Sequence, residues 1–250
     1  MDTPSPSEPA RAAGSAPASA RSADSFQRAR SEEQRAQRRQ AILATAAAML
    51  AEMPVSQVSL NELSRRVGLA KSNVLRYFES REAVLLELLD SAMRDWLVDL
   101  DAELDAAVDP AADPLDVRAD TVAAVLAASL AARPVLCDLT SAQAAVLERN
   151  VSTEVAVRYK RSAMANALAL AGLIGSRIPE LGEADAFRAT AAALLVAGAV
   201  WTHSRPSAAM LAAYEAHPEL SAMRPDFADV LRQLLEVTLS GLLARGRRPV

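Results

Sequence analysis

The stretch SLNELSRRVGLAKSNVLRYF, residues 59–78, places two short apolar-patterned segments on either side of a single glycine. Ser59 stands three residues before Glu62. At that spacing the hydroxyl accepts a first-turn amide while the carboxylate reaches back to the cap amide, so a helix starts here. Leu60, Leu63 and Val67 then face one way, and Gly68 supplies the positive φ that ends the helix. The spacing predicts a second helix from about Lys71 that buries Val74 and Phe78 against the same core. The chain must therefore reverse between Gly68 and Ala70. Two short helices crossed over a glycine turn form a helix-turn-helix, and the break holds the second helix outward. Its residues not needed for the core are Lys71, Ser72, Asn73, Leu75, Arg76 and Tyr77. Positive charge for phosphates, short polar groups for base edges and the absence of an acid suit this edge to a major groove.

The rest of the chain reads as helix after helix. Alanine and leucine dominate a composition that is 51% hydrophobic but only 4% aromatic, and no alternating strand pattern of useful length occurs. Ser31 is a candidate N-cap for a first helix with Ile42, Ala46, Met49, Leu50 and Met53 on one stripe. Ser80 caps a long helix carrying Val84, Leu85, Leu88, Leu89, Met93, Trp96 and Leu97 at helical spacing. Asp113 and Pro114 open another, to about Ala132. Further helices are expected over 134–148, 152–178, 183–203, 207–216 and 226–244. The expectation is an all-α protein: a disordered arm over 1–30, a helix-turn-helix domain over 31–80 and a helical effector-binding and dimerisation domain over 81–250. The arm is Pro-, Ala-, Ser- and Arg-rich with one aromatic residue, too little apolar area to offset ordering.

Charge is distributed unevenly. Residues 1–81 carry 12 Lys/Arg against 8 Asp/Glu, and residues 82–250 carry 15 against 23. A polyanion is therefore met by the N-terminal part. Catalysis lacks a constellation: His203 and His217 are the two histidines, Cys137 the one cysteine, and no H-E-x-x-H, G-x-S-x-G or Gly-rich phosphate loop occurs. Cys137 has no metal-ligand spacing with either histidine, so neither a metal nor another cofactor is expected. The longest apolar run, AAALLVAGAVW at 191–201, falls short of the roughly 20 residues of a membrane span and reads as a buried helix. With one cysteine and no signal-peptide core, a cytoplasmic protein is the simplest reading.

The first helix ILATAAAMLAE, the core VSLNELSRRVGLAKSNVLRYF and the segment FESREAVL make residues 35–90 resemble the DNA-binding domain of the TetR family of one-component transcriptional regulators. Three positions depart from the family pattern. Asn73 and Leu75 replace the usual small residue and aromatic of the recognition helix, and Glu79 replaces a frequent proline.

By position, Lys71, Ser72, Asn73 and Arg76 are the candidates for groove and phosphate contacts, with Tyr77 offering a phosphate hydrogen bond. Asn61 matches a family position that touches the operator. Ser59, Ser80 and Arg81 sit where helix N-terminal amides and a cation can pin the backbone. Arg35, Arg38 and Arg39 are further phosphate candidates. One short helix reads only a few base pairs, so a homodimer on double-stranded DNA is implied, with half-sites about one helical turn or a small multiple apart. The resemblance implies that helices 183–203 and 226–244 form a four-helix bundle with the partner, where Ala192, Ala193, Ala197 and Gly198 permit close approach. It also implies a pocket for an unknown small-molecule effector, with Trp96, Cys137, Arg158, Tyr159, Arg161, Trp201 and His203 as candidate lining, and repression as the default mode. Two rival readings are a helical interaction protein that has lost operator binding and a DNA binder that needs no effector.

Overall fold

The computed structural model describes residues 18–246, with side chains from Arg30 onward. Among the described residues every regular element is helical: α1 (Ala18–Glu52), α2 (Leu60–Val67), α3 (Lys71–Val74), α4 (Arg81–Ala107), α5 (Leu115–Ala131), α6 (Pro134–Ala142), α7 (Thr153–Arg177), α8 (Gly182–Ser204), α9 (Ala208–Ala216) and α10 (Phe227–Gly246). The all-α class follows the expectation. Packing divides the chain into two compact units, residues 1–41 and 42–250.

In the first unit, residues 18–41 are helical. This corrects two expectations, an arm disordered through residue 30 and an N-cap at Ser31, while residues 1–17 lie outside the described residues. The sequence has no glycine or proline between Pro17 and Pro54. Each further Ala, Arg or Gln joins a helix already nucleated downstream at little cost. Arg35 and Arg38 are exposed and Arg39 is half-buried.

The second unit begins with the apolar stripe of α1, where Ile42, Leu43, Ala46, Met49 and Leu50 are buried. Pro54 ends that helix. The expected domain division at 80/81 is not a break in packing, since the helix-turn-helix and the helices after it belong to this one unit. α4 packs on α5, α6 and α7, while α10 lies against α5 and α8. Trp96, Leu100, Leu104, Leu126, Leu139 and Leu170 are almost wholly buried at the centre, each contributing about 1.5–3 kcal/mol of apolar burial. The Trp96 indole N–H is satisfied by Ser129 Oγ at 3.0 Å. Pro134 stands in the first turn of α6, and the path bends by 91° between α5 and the segment Pro134–Leu147. The helix expected over 134–148 is α only to Ala142; Gln143–Leu147 widens into a π turn.

On α8, Ala189, Ala193, Ala197, Val200 and Trp201 face the core. A Cβ added at Gly198 would lie 3.5 Å from Ser141 Cα, so α6 packs closely there. Ala193, Ala197 and Gly198 thus serve intrachain packing, which corrects their assignment to a partner contact. The exposed stripe of α8 is instead Ala184, Arg188, Ala191, Leu195 and Ala199. The segment Pro179–Ser204 has the length and hydropathy of a membrane span, but its most apolar stripe is that of a bundle-core helix.

Candidate nucleic-acid interface and cavity

Local chemistry fixes the helix-turn-helix. Ser59 Oγ accepts the Glu62 amide at 3.2 Å, which is one half of the expected capping box. The other half is absent: the Glu62 carboxylate turns to Arg65 and Arg66, with contacts of 2.6–2.9 Å. Those guanidinium groups hold the Glu62 carboxyl down at about 2. Gly68 sits at φ 72°, ψ 31° and ends α2. No atom lies within 4 Å of where its Cβ would be, so the demand for glycine is one of backbone conformation alone. α3 is a single α turn, continued to Phe78 by the short bonds Arg76 N–H to Asn73 O and Tyr77 N–H to Val74 O. Val74 and Phe78 are buried as expected.

Lys71, Ser72, Asn73 and Arg76 are exposed together on this corner, and Asn61 is exposed on α2. Leu75, 41% exposed, stands among them. This exposure agrees with its place among the residues that the core does not need. Tyr77 is half-buried and packs against the core. Ser80 Oγ accepts from the Ala83 amide at 3.1 Å, so its hydroxyl caps α4. Arg81 is half-buried at the start of α4. Its Nε and Nη2 are sealed inside without hydrogen-bond partners, and it lies near Glu82 at 3.7 Å.

A cavity of about 530 Å³ lies among α4, α6, the π turn, α7 and α8. Leu89, Met93, Ala163, Ala167 and Leu194 give it an apolar wall, and Asp90, Tyr159 and Asn166 supply polar groups. Leu195, 76% exposed, stands at the mouth. Of the seven expected lining residues, Tyr159 alone borders this cavity. Arg158 joins Tyr159 at a smaller adjoining one of about 200 Å³. Trp96 belongs to the core, and Trp201 packs edge-on to Phe227 at 5.0 Å, joining α8 to α10. Cys137 is buried on the core side of α6, its thiol pushed up to about 12 by desolvation and then by Asp138. Arg161 and His203 are exposed away from the cavity. Large polar side chains drew attention in the sequence, whereas the cavity is made chiefly of alanine, leucine and small hydroxyl residues.

Two hydrogen bonds tie α6 and the start of α7 to the segments flanking the reading corner. Asp138 on α6 accepts the Val55 amide at 2.8 Å. Glu79 accepts the Ser152 amide at 2.6 Å, at the N-terminus of α7, and this bond holds the Glu79 carboxyl below its ordinary range. The Glu79 departure noted in the sequence is therefore structural.

Known proteins share both parts. Over 50 residues the chain is 44% identical to the HTH-type transcriptional regulator EthR of Mycobacterium tuberculosis, a segment that is 20% of this chain and 23% of EthR. The chain thus matches under a quarter of that relative's length, as it does for the Mycobacterium bovis EthR. The fatty acid degradation regulator FadR of Bacillus halodurans superposes with a TM-score of 0.50 at 17% identity, over 81% of this chain and 98% of that one. A transcriptional regulator of Pseudomonas aeruginosa PAO1 gives 0.51 at 16% identity, over 83% and 91%. At such identities these two structures speak to the fold alone. Residues 42–88 match the model of bacterial regulatory proteins of the tetR family, and residues 90–246 match the tetracyclin repressor-like C-terminal domain. Together these matches run from α1 to the end of α10, and the chain belongs to the TetR family of transcriptional regulators.

Proposed function

We propose that this regulator is a cytoplasmic, DNA-binding repressor that reads a palindromic operator as a homodimer and releases it when a small molecule fills the cavity. The observation that carries the reading is the corner at Gly68, which presents Lys71, Ser72, Asn73 and Arg76 to solvent on one edge without an acidic residue among them. Lys71 and Arg76 neutralise phosphates; Asn73 reaches a base edge, and Leu75 covers a thymine methyl. Asn61, with the Ser59 and Ser80 helix starts, fixes register on the backbone. A four-residue reading helix needs a second copy for useful specificity.

Release requires that the effector bind better to the conformer that misfits the operator, because equal affinity for both conformers shifts nothing. The two struts supply a path: a ligand that spreads α6 from α7 pulls on Val55 through Asp138 and on Glu79 through Ser152. Selection of bound DNA from a random pool tests the reading. The expected result is two inverted half-sites at a fixed spacing; a pool that shows no enrichment overturns it.

A further inference from the structure

The cavity has an uneven balance of hydrogen-bonding groups. Thr140, Ser141 and Thr202 line it, and each spends its hydroxyl proton on a backbone carbonyl of its own helix, at 2.8, 2.8 and 3.0 Å. Gln143 and Asn166 each spend an amide N–H on a carboxylate, that of Glu148 at 2.8 Å and that of Asp90 at 2.9 Å. What these residues hold in reserve is mainly oxygen lone pairs. Asp90 uses one oxygen for Asn166 and the other for Arg94 at 2.9 Å, and a carboxylate has about four acceptor sites.

The charges point the same way. Asp90 is the one charged residue among the described residues lining the cavity, where no lysine, arginine or histidine appears. The nearby cations Arg94, Arg158 and Lys160 have side chains 58–59% exposed and are already paired with Asp90, Glu154 and Glu148, so solvent screens them. Burial, followed by the charges of Glu148 and Asp90, pushes the Tyr159 phenol above its ordinary range. Tyr159 therefore stays a neutral hydroxyl.

We infer that the cavity takes an apolar organic cation, a hydrophobic body bearing a protonated amine that faces Asp90, and that it rejects a carboxylate of the same shape. The inference rests on reading the cavity as the effector site. The apolar wall of Leu89, Met93 and Leu194 takes the body. Asp90, Asn166 Oδ1 and the Tyr159 oxygen accept from the ammonium, which carries donors and no acceptor. A carboxylate would instead meet a like charge at Asp90 and a surplus of lone pairs, with the Tyr159 hydroxyl and the second amide N–H of Asn166 and of Gln143 as the donors left to it.

Three probes with one body separate these cases: 4-phenylbutylamine, 4-phenylbutan-1-ol and 4-phenylbutyrate, titrated calorimetrically into the full chain at neutral pH. The amine is expected to bind about tenfold or more tighter than the carboxylate, the scale of one charge-assisted hydrogen bond. Asp90→Asn should collapse that preference while leaving the alcohol's affinity nearly unchanged. Thr202→Arg, at an exposed rim position that tolerates replacement, should move the preference toward the carboxylate. Equal or tighter binding of the carboxylate overturns the inference, as does a preference that survives Asp90→Asn or an amine that fails to bind at millimolar concentration. None of these outcomes touches DNA reading, which the selection experiment tests. Conversely, an amine that binds as expected but leaves operator affinity unchanged supports the ligand class and defeats the effector role.

Discussion

The reading corner and the cavity sit in one compact unit but are built by opposite rules. The corner is assembled within about twenty consecutive residues by a cap, a left-handed glycine and two buried anchors, Val74 and Phe78. Its functional side chains need only be exposed. The cavity draws on four helices and a π turn, from Leu89 to Thr202, and its functional atoms are what remains after each side chain has satisfied its own backbone. A site of the first kind is set by local conformation, one of the second kind by packing. Substitutions should therefore affect the two regions differently.

The largest effect belongs to the shared core. Trp96→Ala should cost about 3–5 kcal/mol, read by chemical denaturation, and fluorescence and helicity should fall in one transition if corner and cavity share a unit. Two separated transitions would break the comparison at its base. Next, Asn73→Ala should relax discrimination at one base pair by about 1–3 kcal/mol, whereas Lys71→Ala should weaken all sequences alike and reduce the log-log salt slope by about one. Gel-shift series at several salt concentrations distinguish the two, and neither change should alter probe binding in the cavity. Gly68→Ala should cost about 1 kcal/mol by strain alone, since the site has room for a methyl group. A larger loss of thermal stability would mean that the corner depends on packing after all.

The smallest effect is a pH dependence. The Glu62 carboxyl lies near 2 in the folded chain, below its unfolded value of about 4.3. Its pairing with Arg65 and Arg66 therefore contributes above that unfolded value and is lost as the pH falls toward 2. Wild type and Glu62→Gln should differ slightly in denaturant midpoint at neutral pH and converge near pH 2. A difference that persists in acid would assign the effect to something other than this charge.

What the sequence disclosed follows the same division. The Ser59 and Ser80 hydroxyl caps, Gly68, Val74 and Phe78 carry local signals, and these were legible. The start of α1 was not, because a Pro/Ser/Ala-rich composition argues for disorder while the stretch after Pro17 contains nothing that stops a helix. Small residues on α8 gave the right packing chemistry but the wrong neighbour: Ala193, Ala197 and Gly198 admit the chain's own helices. Of the seven candidate lining residues, Tyr159 borders the cavity described above. No spacing rule links Asp90 to Asn166, 76 positions away. Glu79 registered as a departure from a pattern, yet its partner Ser152 has no signature until the chain is folded.

In the bond between Glu79 and Ser152 the acceptor is a side chain and the donor is the main chain. Position 152 can thus drift through almost any residue and keep its half of the joint, since only proline deletes a peptide hydrogen. Position 79 has no such latitude, because a replacement must bring an acceptor of similar reach. This one of the two contacts can accordingly be lost by a single codon change at position 79, while its other anchor tolerates most replacements.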